Sequence, residues 1–420
     1  MHTLEQLKSG QLKGIKHLKL SADLTEFPLE ILELADSLEV LDLYGNQLSS
    51  LPDELSQLTN LRIIFASNNL FTHLPDVLGT LPKLEMVGFK SNQIKTVSEQ
   101  SLPAQLRWLI LTDNAIEVLP HSLGERPRLQ KLALAGNKIR ILPESMENLS
   151  SLELVRLSAN QLTEFPEFLI KLPKLAWLAF AGNPFCKHPS SLDSVPAVSS
   201  QCYSLNQVLG QGASGVISHA NWLNRDFDFP QEVAVKVFKG EVTSDGYPHD
   251  ELEACLQAGQ HSNLVKSIAQ VDEENYLALV MELIPSSYYN LGLPPTLESC
   301  TRDTFNEGFE LSIAQINSIT EQMIDVFEHL HANKVCHGDL YAHNTLVDEQ
   351  GQMIFGDFGA ATIYGYLTEE QQQGIRRIEA RALKFFIEDL LTVCTKKDQD
   401  SELYTRLANF EAQWLNLIAR

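Results

Sequence analysis

Leucine and isoleucine recur through the first half of the chain in the pattern L-x-x-L-x-L-x-x-N-x-L-x-x-L-P. Units open at Ile15, Leu38, Leu61, Leu84, Leu106, Leu129, Leu152 and Leu175, so the period is 22 or 23 residues. Each unit holds one short strand whose leucines need burial, and a unit this small cannot bury them alone. Stacking of neighbours is therefore required. An Asn recurs at one position, as Asn46, Asn69, Asn92, Asn114, Asn137, Asn160 and Asn183, with Asp23 in the first unit. The second half loses this period. Strand-like runs such as Val233–Lys236 and Leu277–Leu283 alternate there with helix-like stretches and glycine-rich turns.

The repeat pattern resembles the leucine-rich repeat family, which implies a curved α/β solenoid. In that family the recurring Asn satisfies backbone groups at the turn. We expect an N-terminal cap at residues 1–14, eight repeats at 15–186 and a Ser/Pro-rich linker at 187–202. In such a solenoid the residues between the leucines line a concave face. Here they include Val40, Tyr44, Ile63, Phe65, Met86, Trp108, Ile110 and Trp177. An apolar, aromatic stripe in that place marks a protein-binding surface. Two occupants stay open, an external protein or the second half of the same chain folding back.

The second half carries chemistry. Residues 337–344 read His-Gly-Asp-Leu-Tyr-Ala-His-Asn, and Asp357-Phe358-Gly359 follows. Asp339 can take the proton of an attacking hydroxyl, and Asn344 and Asp357 can hold the magnesium ions of a triphosphate. This run resembles the catalytic and metal-binding loops of the protein kinase family. The resemblance extends upstream. Gly210-Gln211-Gly212-Ala213-Ser214-Gly215, with Ile217 after it, is similar to the glycine-rich loop over the phosphates. Lys236 ends a strand like the one whose Lys grips the α- and β-phosphates, and Ala234 would cover the adenine. Met281 would stand behind the adenine, with backbone of Glu282 and Ile284 on the base edge. The acidic partner of Lys236 is expected at Glu251, with Glu253 as the alternative. The family thus implies residues 203–420 as an α+β bilobal kinase-like domain using ATP and Mg²⁺.

Departures gather on the substrate side. Gly338 stands where the family has Arg, which implies activity independent of activation-loop phosphorylation. Tyr341 replaces the Lys of Ser/Thr kinases, and His343 sits where tyrosine kinases carry Arg. No A-P-E follows Gly359, and Glu379 would replace the Asp that begins the buried helix of the lower lobe. The lower lobe is therefore expected to be reduced. The first expectation is a protein kinase acting on Ser/Thr, with dual specificity open and the repeats recruiting a partner or substrate. A nucleotide-binding pseudokinase scaffold and a small-molecule phosphotransferase are the alternatives.

Charge and composition narrow the remainder. The net charge of −22 divides into −4 for residues 1–200 and −18 for residues 201–420. An acidic catalytic half argues against nucleic acid or an anionic membrane as partner. Six scattered cysteines (186, 202, 255, 300, 336, 394) form no CxxC pair, which suits reduced thiols and a cytoplasmic location. Cys336, beside His337, is expected to serve packing. Residues 1–6 have no basic-then-apolar order, so no signal peptide is expected, and no apolar run is long enough for a membrane span.

Overall fold

A computed structural model describes residues 1–188, 194–212, 214–224, 227–239, 242–243 and 245–410. The chain divides into two compact units. One comprises Met1–Leu175 with Asn183–Phe185, the other Ala176–Gly182 with Cys186–Arg420.

The first unit opens with a short helix α1 (Leu4–Lys8), closed by a capping box between Thr3 and Gln6. Seven three-residue strands follow: β1 (His17–Lys19), β2 (Val40–Asp42), β3 (Ile63–Phe65), β4 (Met86–Gly88), β5 (Trp108–Ile110), β6 (Lys131–Ala133) and β7 (Leu154–Arg156). Each pairs in parallel with the next at one-repeat register, as in Leu41 with Ile64 and Leu109 with Leu132. The central residue of each strand (Leu18, Leu41, Ile64, Val87, Leu109, Leu132 and Val155) is buried, which is the burial that stacking makes possible. Six 3₁₀ turns on the opposite side start just after Pro28, Pro52, Pro75, Pro120, Pro143 and Pro166. Proline suits that position, because its missing N–H is one the turn would leave unpaired.

The Asn ladder joins one repeat to the next. Asn46 accepts from the backbone N–H of Leu24 at 3.1 Å and donates to the carbonyls of Leu20 and Leu43. Asn137 and Asn160 repeat the arrangement. Each such side chain satisfies buried backbone groups that would cost about 1–3 kcal/mol apiece if left open.

The second unit contains strand β8 (Trp177–Ala179), which belongs to the eighth repeat by sequence. Its upper part is a five-stranded antiparallel sheet. The strands are β9 (Tyr203–Gln211), β10 (Gly215–Trp222), β11 (Glu232–Phe238), β12 (Ser267–Glu273) and β13 (Tyr276–Glu282), in the order β12-β13-β11-β10-β9. Helix α2 (Pro248–Ala258) packs Leu252 and Leu256 on one face of this sheet with Ala234, Leu279 and Met281. The other face buries Val233, Val235, Trp222 and Val280. That alternation along β11 points Lys236 toward α2.

The lower part is helical. Helix α3 (Ile313–Ala332) and helix α4 (Glu369–Thr392) each begin with a capping box, at Ser312 and Thr368, and a short helix α5 (Glu402–Ala408) packs beside them. After strand β14 (Tyr289–Asn290), strands β15 (Val335–Cys336), β16 (Thr345–Val347), β17 (Met353–Phe355) and β18 (Thr362–Ile363) frame the loops between the helices. β16 and β17 form a hairpin, and β15 pairs with β18. Among the described residues no helix is long and apolar enough to cross a membrane, and all six cysteines are free.

Candidate active site

Lys236 leaves β11 opposite Leu279 and forms an ion pair with Glu251 of α2. Glu251 is only 3% exposed. Glu253, two residues on, faces elsewhere and pairs with His188 at 2.6 Å and His249 at 3.4 Å. A helix turns about 100° per residue, so only one of two such glutamates can meet the sheet. Burial works against the charge on Lys236, but the carboxylates of Glu251 and Asp357 more than offset it. Its ammonium is held above the usual lysine range.

The second constellation lies on the loop between β15 and β16. Asn344 donates through Nδ2 to Asp339 Oδ2 at 2.8 Å and to the Asp339 carbonyl at 3.1 Å. His337 accepts at Nδ1 from the Asp339 N–H, and its Nε2 donates to the Gly356 carbonyl at 3.0 Å. These two partners select the neutral imidazole with its proton on Nε2. Beneath the loop, Glu379 of α4 accepts from the backbone N–H groups of His337 at 2.7 Å and Gly338 at 3.2 Å. Its other oxygen meets His331 of α3 at 2.7 Å.

Asp357 follows β17 in the left-handed conformation, with φ of 58° and an exposed side chain. Phe358 is buried with its ring centroid 5.0 Å from that of His337. A Cβ placed on Gly359 would lie 3.3 Å from Asp357 Oδ1, 3.8 Å from Glu251 Oε2 and 4.0 Å from Asp245 Oδ2. The Asp357 loop thus meets the Lys236–Glu251 pair. The oxygen donors suit a hard divalent cation. Asn344 commits its Nδ2 to Asp339, so its amide oxygen is the atom that could act as a ligand, and Asp357 offers an exposed carboxylate.

The nucleotide-side residues assemble around the upper sheet. Gly210 pairs with Ile217 across β9 and β10, and the Gly212 N–H donates to the Gly215 carbonyl at 3.0 Å beyond the exposed Gln211. Ser214 is buried below the turn, and its carbonyl accepts from the Lys239 N–H. Ala213 lies outside the described residues. Ala234 faces Met281 in register, and Ile217 packs on the same apolar cluster. Glu282 donates its N–H to the Lys266 carbonyl, and Ile284 lies half-buried just after β13.

The departures have local causes. Gly338 has φ of 72°, and a Cβ there would sit 2.6 Å from the Leu178 carbonyl oxygen and 3.0 Å from that of Ala360. Backbone on two sides excludes any larger residue, Arg included. Tyr341 is buried, its ring parallel to Trp177 at 4.8 Å. His343 turns to Asp303, 2.7 Å away. β18 and a short turn carry the chain directly from Gly359 into α4 at Glu369, where a peptide-cradling segment would otherwise lie.

One expectation is corrected here. Trp177 is not a free docking residue of a concave face. It is 1% exposed, stacked between Tyr341 and Phe385 within the second unit. Ile63 and Met86 are also buried, which removes them from any open stripe. Val40, Phe65, Trp108 and Ile110 remain half-buried, and Tyr44 is 49% exposed.

Motif reading misses three residues and misplaces a fourth. Asp303 accepts from the Ala342 N–H as well as meeting His343, and so holds the loop after Tyr341. Asp389, on α4, receives the Asp303 N–H and pairs with Arg302 at 2.7 Å. Burial pushes the Asp389 carboxyl up to about 6 against the pull of that Arg. Asp245 approaches Gly359 from the turn before α2, and Trp177 was misplaced. The three aspartates sit at no fixed offset from a motif, and Trp177 keeps its repeat offset but not its exposure, so only the packing reveals their roles.

Three comparisons bear on this geometry. A protein kinase domain model matches residues 203–376. Leucine-rich repeat models match residues 37–58 and 104–162. The chain is a leucine-rich repeat protein with a protein kinase domain. Relatives of the kinase domain include a serine/threonine-protein kinase of Debaryomyces hansenii, 25% identical over 166 residues, covering 39% of this chain and 26% of that protein. Fibroblast growth factor receptor 1 of Xenopus laevis is 27% identical over 166 residues, covering 37% of this chain and 20% of the receptor. This chain therefore spans about a quarter or less of the curated relatives it matches. A leucine-rich repeat protein of Leptospira interrogans has 26% identity with a TM-score of 0.35, covering 44% of this chain and 53% of its own, a likeness too slight to carry an argument.

Proposed function

We propose that the kinase domain transfers the γ-phosphate of ATP to a protein hydroxyl, on Ser or Thr and with Tyr as a further acceptor, while the repeats recruit the partner or substrate. The observation that carries this reading is the meeting of the Lys236–Glu251 pair with Asp357, beside the hydrogen-bonded Asp339 and Asn344. When bound, MgATP supplies the transferable phosphoryl group and the cations that neutralise it. Lys236 is the residue to hold the α- and β-phosphates, kept charged by Glu251. Asp339, fixed by Asn344, orients the attacking hydroxyl and takes its proton. Asp357 and the amide oxygen of Asn344 would be the cation ligands. Gly210, Gln211, Gly212, Ala213, Ser214, Gly215 and Ile217 would cover the phosphates. Ala234, Met281, Glu282 and Ile284 would frame the base.

Recruitment is assigned to Val40, Tyr44, Phe65, Trp108 and Ile110, the apolar residues of the repeat face that keep exposure. Exposed anchors matter to the acceptor, because the short stretch from Gly359 to α4 offers a peptide little to grip. Docking elsewhere would raise the local concentration of substrate at Asp339. Six free thiols support a cytoplasmic, reducing setting.

The test is transfer of labelled phosphate from ATP with Mg²⁺ by the full chain to generic protein acceptors, beside Asp357→Ala. Label that depends on Asp357 supports the reading. Tight nucleotide binding without transfer would favour a scaffold, a reading that the burial of Tyr341 against Trp177, at the position where Ser/Thr kinases carry a Lys, supports. Transfer to small cationic acceptors alone would favour the small-molecule alternative.

A further inference from the structure

By motif the catalytic domain begins at Tyr203, yet a strand from the eighth repeat is built into its lower half. The Trp177 indole N–H donates to the Leu340 carbonyl at 2.9 Å. Its ring lies parallel to Tyr341 at 4.8 Å and 6°, and against Phe385 of α4 at 5.4 Å. One residue on, the Leu178 carbonyl accepts from the Cys336 thiol and touches the place where Gly338 would carry a Cβ. Two further on, the Phe180 N–H donates to Thr362 Oγ1 at 3.3 Å. Residues 177–180 therefore grip the catalytic loop at 336, 338, 340 and 341, on both sides of Asp339, and reach β18 just after the Asp357 loop.

We propose that β8 is part of the catalytic module and that Trp177 is a positioning residue for Asp339, acting through Leu340 and Tyr341. This rests on the phosphotransfer reading above. Three oddities of the motif then share one cause. Gly338 leaves room for the Leu178 backbone, Tyr341 provides the ring on which Trp177 stacks, and the short stretch after Gly359 leaves the loop open to β8. Support that an Arg and an activation segment would give comes instead from a strand fixed by the fold.

The full chain tests this with Trp177→Ala and Trp177→Phe, measuring kcat, KM for ATP, nucleotide affinity and thermal unfolding. A misplacement of about 1 Å costs on the order of 100-fold in rate. Trp177→Ala should therefore lower kcat about 10- to 100-fold with KM and nucleotide affinity within about 3-fold. Trp177→Phe keeps the stack and loses the indole bond, so it should recover most of the rate and stay about 3- to 5-fold below wild type. A Trp177→Ala kcat within about 2-fold of wild type, measured below its melting temperature, overturns the proposal. So does an equal loss of kcat and nucleotide affinity. Should Trp177→Ala fail to fold, unchanged kcat in Trp177→Phe overturns it and the 3- to 5-fold deficit sustains it. A wild-type chain that binds nucleotide and transfers nothing refutes the phosphotransfer reading instead. In that case amide exchange across residues 337–344 decides the positioning claim: about 10-fold faster exchange in Trp177→Phe sustains it, and unchanged exchange overturns it.

Discussion

Replacing Glu379 by Ala should detach the catalytic loop from the helix beneath it. The carboxylate is 1% exposed and holds the N–H groups of His337 and Gly338 and the ring of His331. Alanine leaves two backbone donors and one imidazole nitrogen without a partner in a dry site. Each buried, unpaired group costs about 1–3 kcal/mol, and because the three share one partner we expect about 4 kcal/mol in all rather than their full sum. In a unit of this size that lowers the melting temperature by roughly 8–16 °C. Glutamine keeps the shape and one acceptor oxygen for both N–H groups, and the His331 ring can accept from its amide. Glu379→Gln should therefore lose only about 1 kcal/mol, or roughly 2–4 °C. Thermal unfolding gives the total, and peptide-resolved amide exchange assigns it to residues 335–345. Two units need not melt together, so the exchange data carry the assignment. An Ala variant within about 1 kcal/mol of wild type, or Ala and Gln variants equally unstable, would refute the claim that this carboxylate holds the loop.

Three further outcomes follow from the geometry. Glu251→Ala strands a buried Lys236 and should cut phosphate transfer by about 100-fold, while Glu253→Ala stays within about 3-fold; parallel rate assays decide, and equal effects would break the assignment. Gly338→Arg must push its side chain through the Leu178 and Ala360 carbonyls, so we expect a loss of about 3 kcal/mol by denaturant titration rather than a restored kinase motif. Burial raises the Asp250 carboxyl from 3.8 to about 6, with neighbouring His188 and His249 pulling it down. A raised folded pKa means stability that is full below about pH 4 and declines as pH rises through 6, by roughly 2–3 kcal/mol in total. Asp250→Asn should remove the Asp250 share of the decline while that of Asp389 persists, and unfolding curves of both proteins from pH 4 to 8 that stay parallel would count against it.

Much of the site was legible because phosphoryl transfer fixes residue types at fixed short spacings. Asp339 and Asn344 share one loop, and Asp357 follows one hairpin later, so local chain geometry already brings them near. Lys236 and its acid were harder, since they meet across a sheet and a helix. The sequence left Glu251 and Glu253 open, and the phase of α2 against β11 pairs one with Lys236 and the other with His188 and His249. The motif order marks Glu379 as a substitute for the family Asp, but its double grip on the His337 and Gly338 amides follows only from the tertiary structure.

The repeats were determined by sequence alone for a related reason. Their contacts run between neighbours a fixed 22 or 23 residues apart, so period, Asn ladder and proline-led turns all follow from local pattern. Trp177 obeys that same pattern, which predicts a concave-face residue. Only tertiary packing placed it on Tyr341, more than a hundred and fifty residues downstream. Burial of a large aromatic ring depends on what arrives opposite it, and no periodicity within the chain encodes that. The same packing accounts for Gly338, where the missing side chain records the approach of a distant backbone.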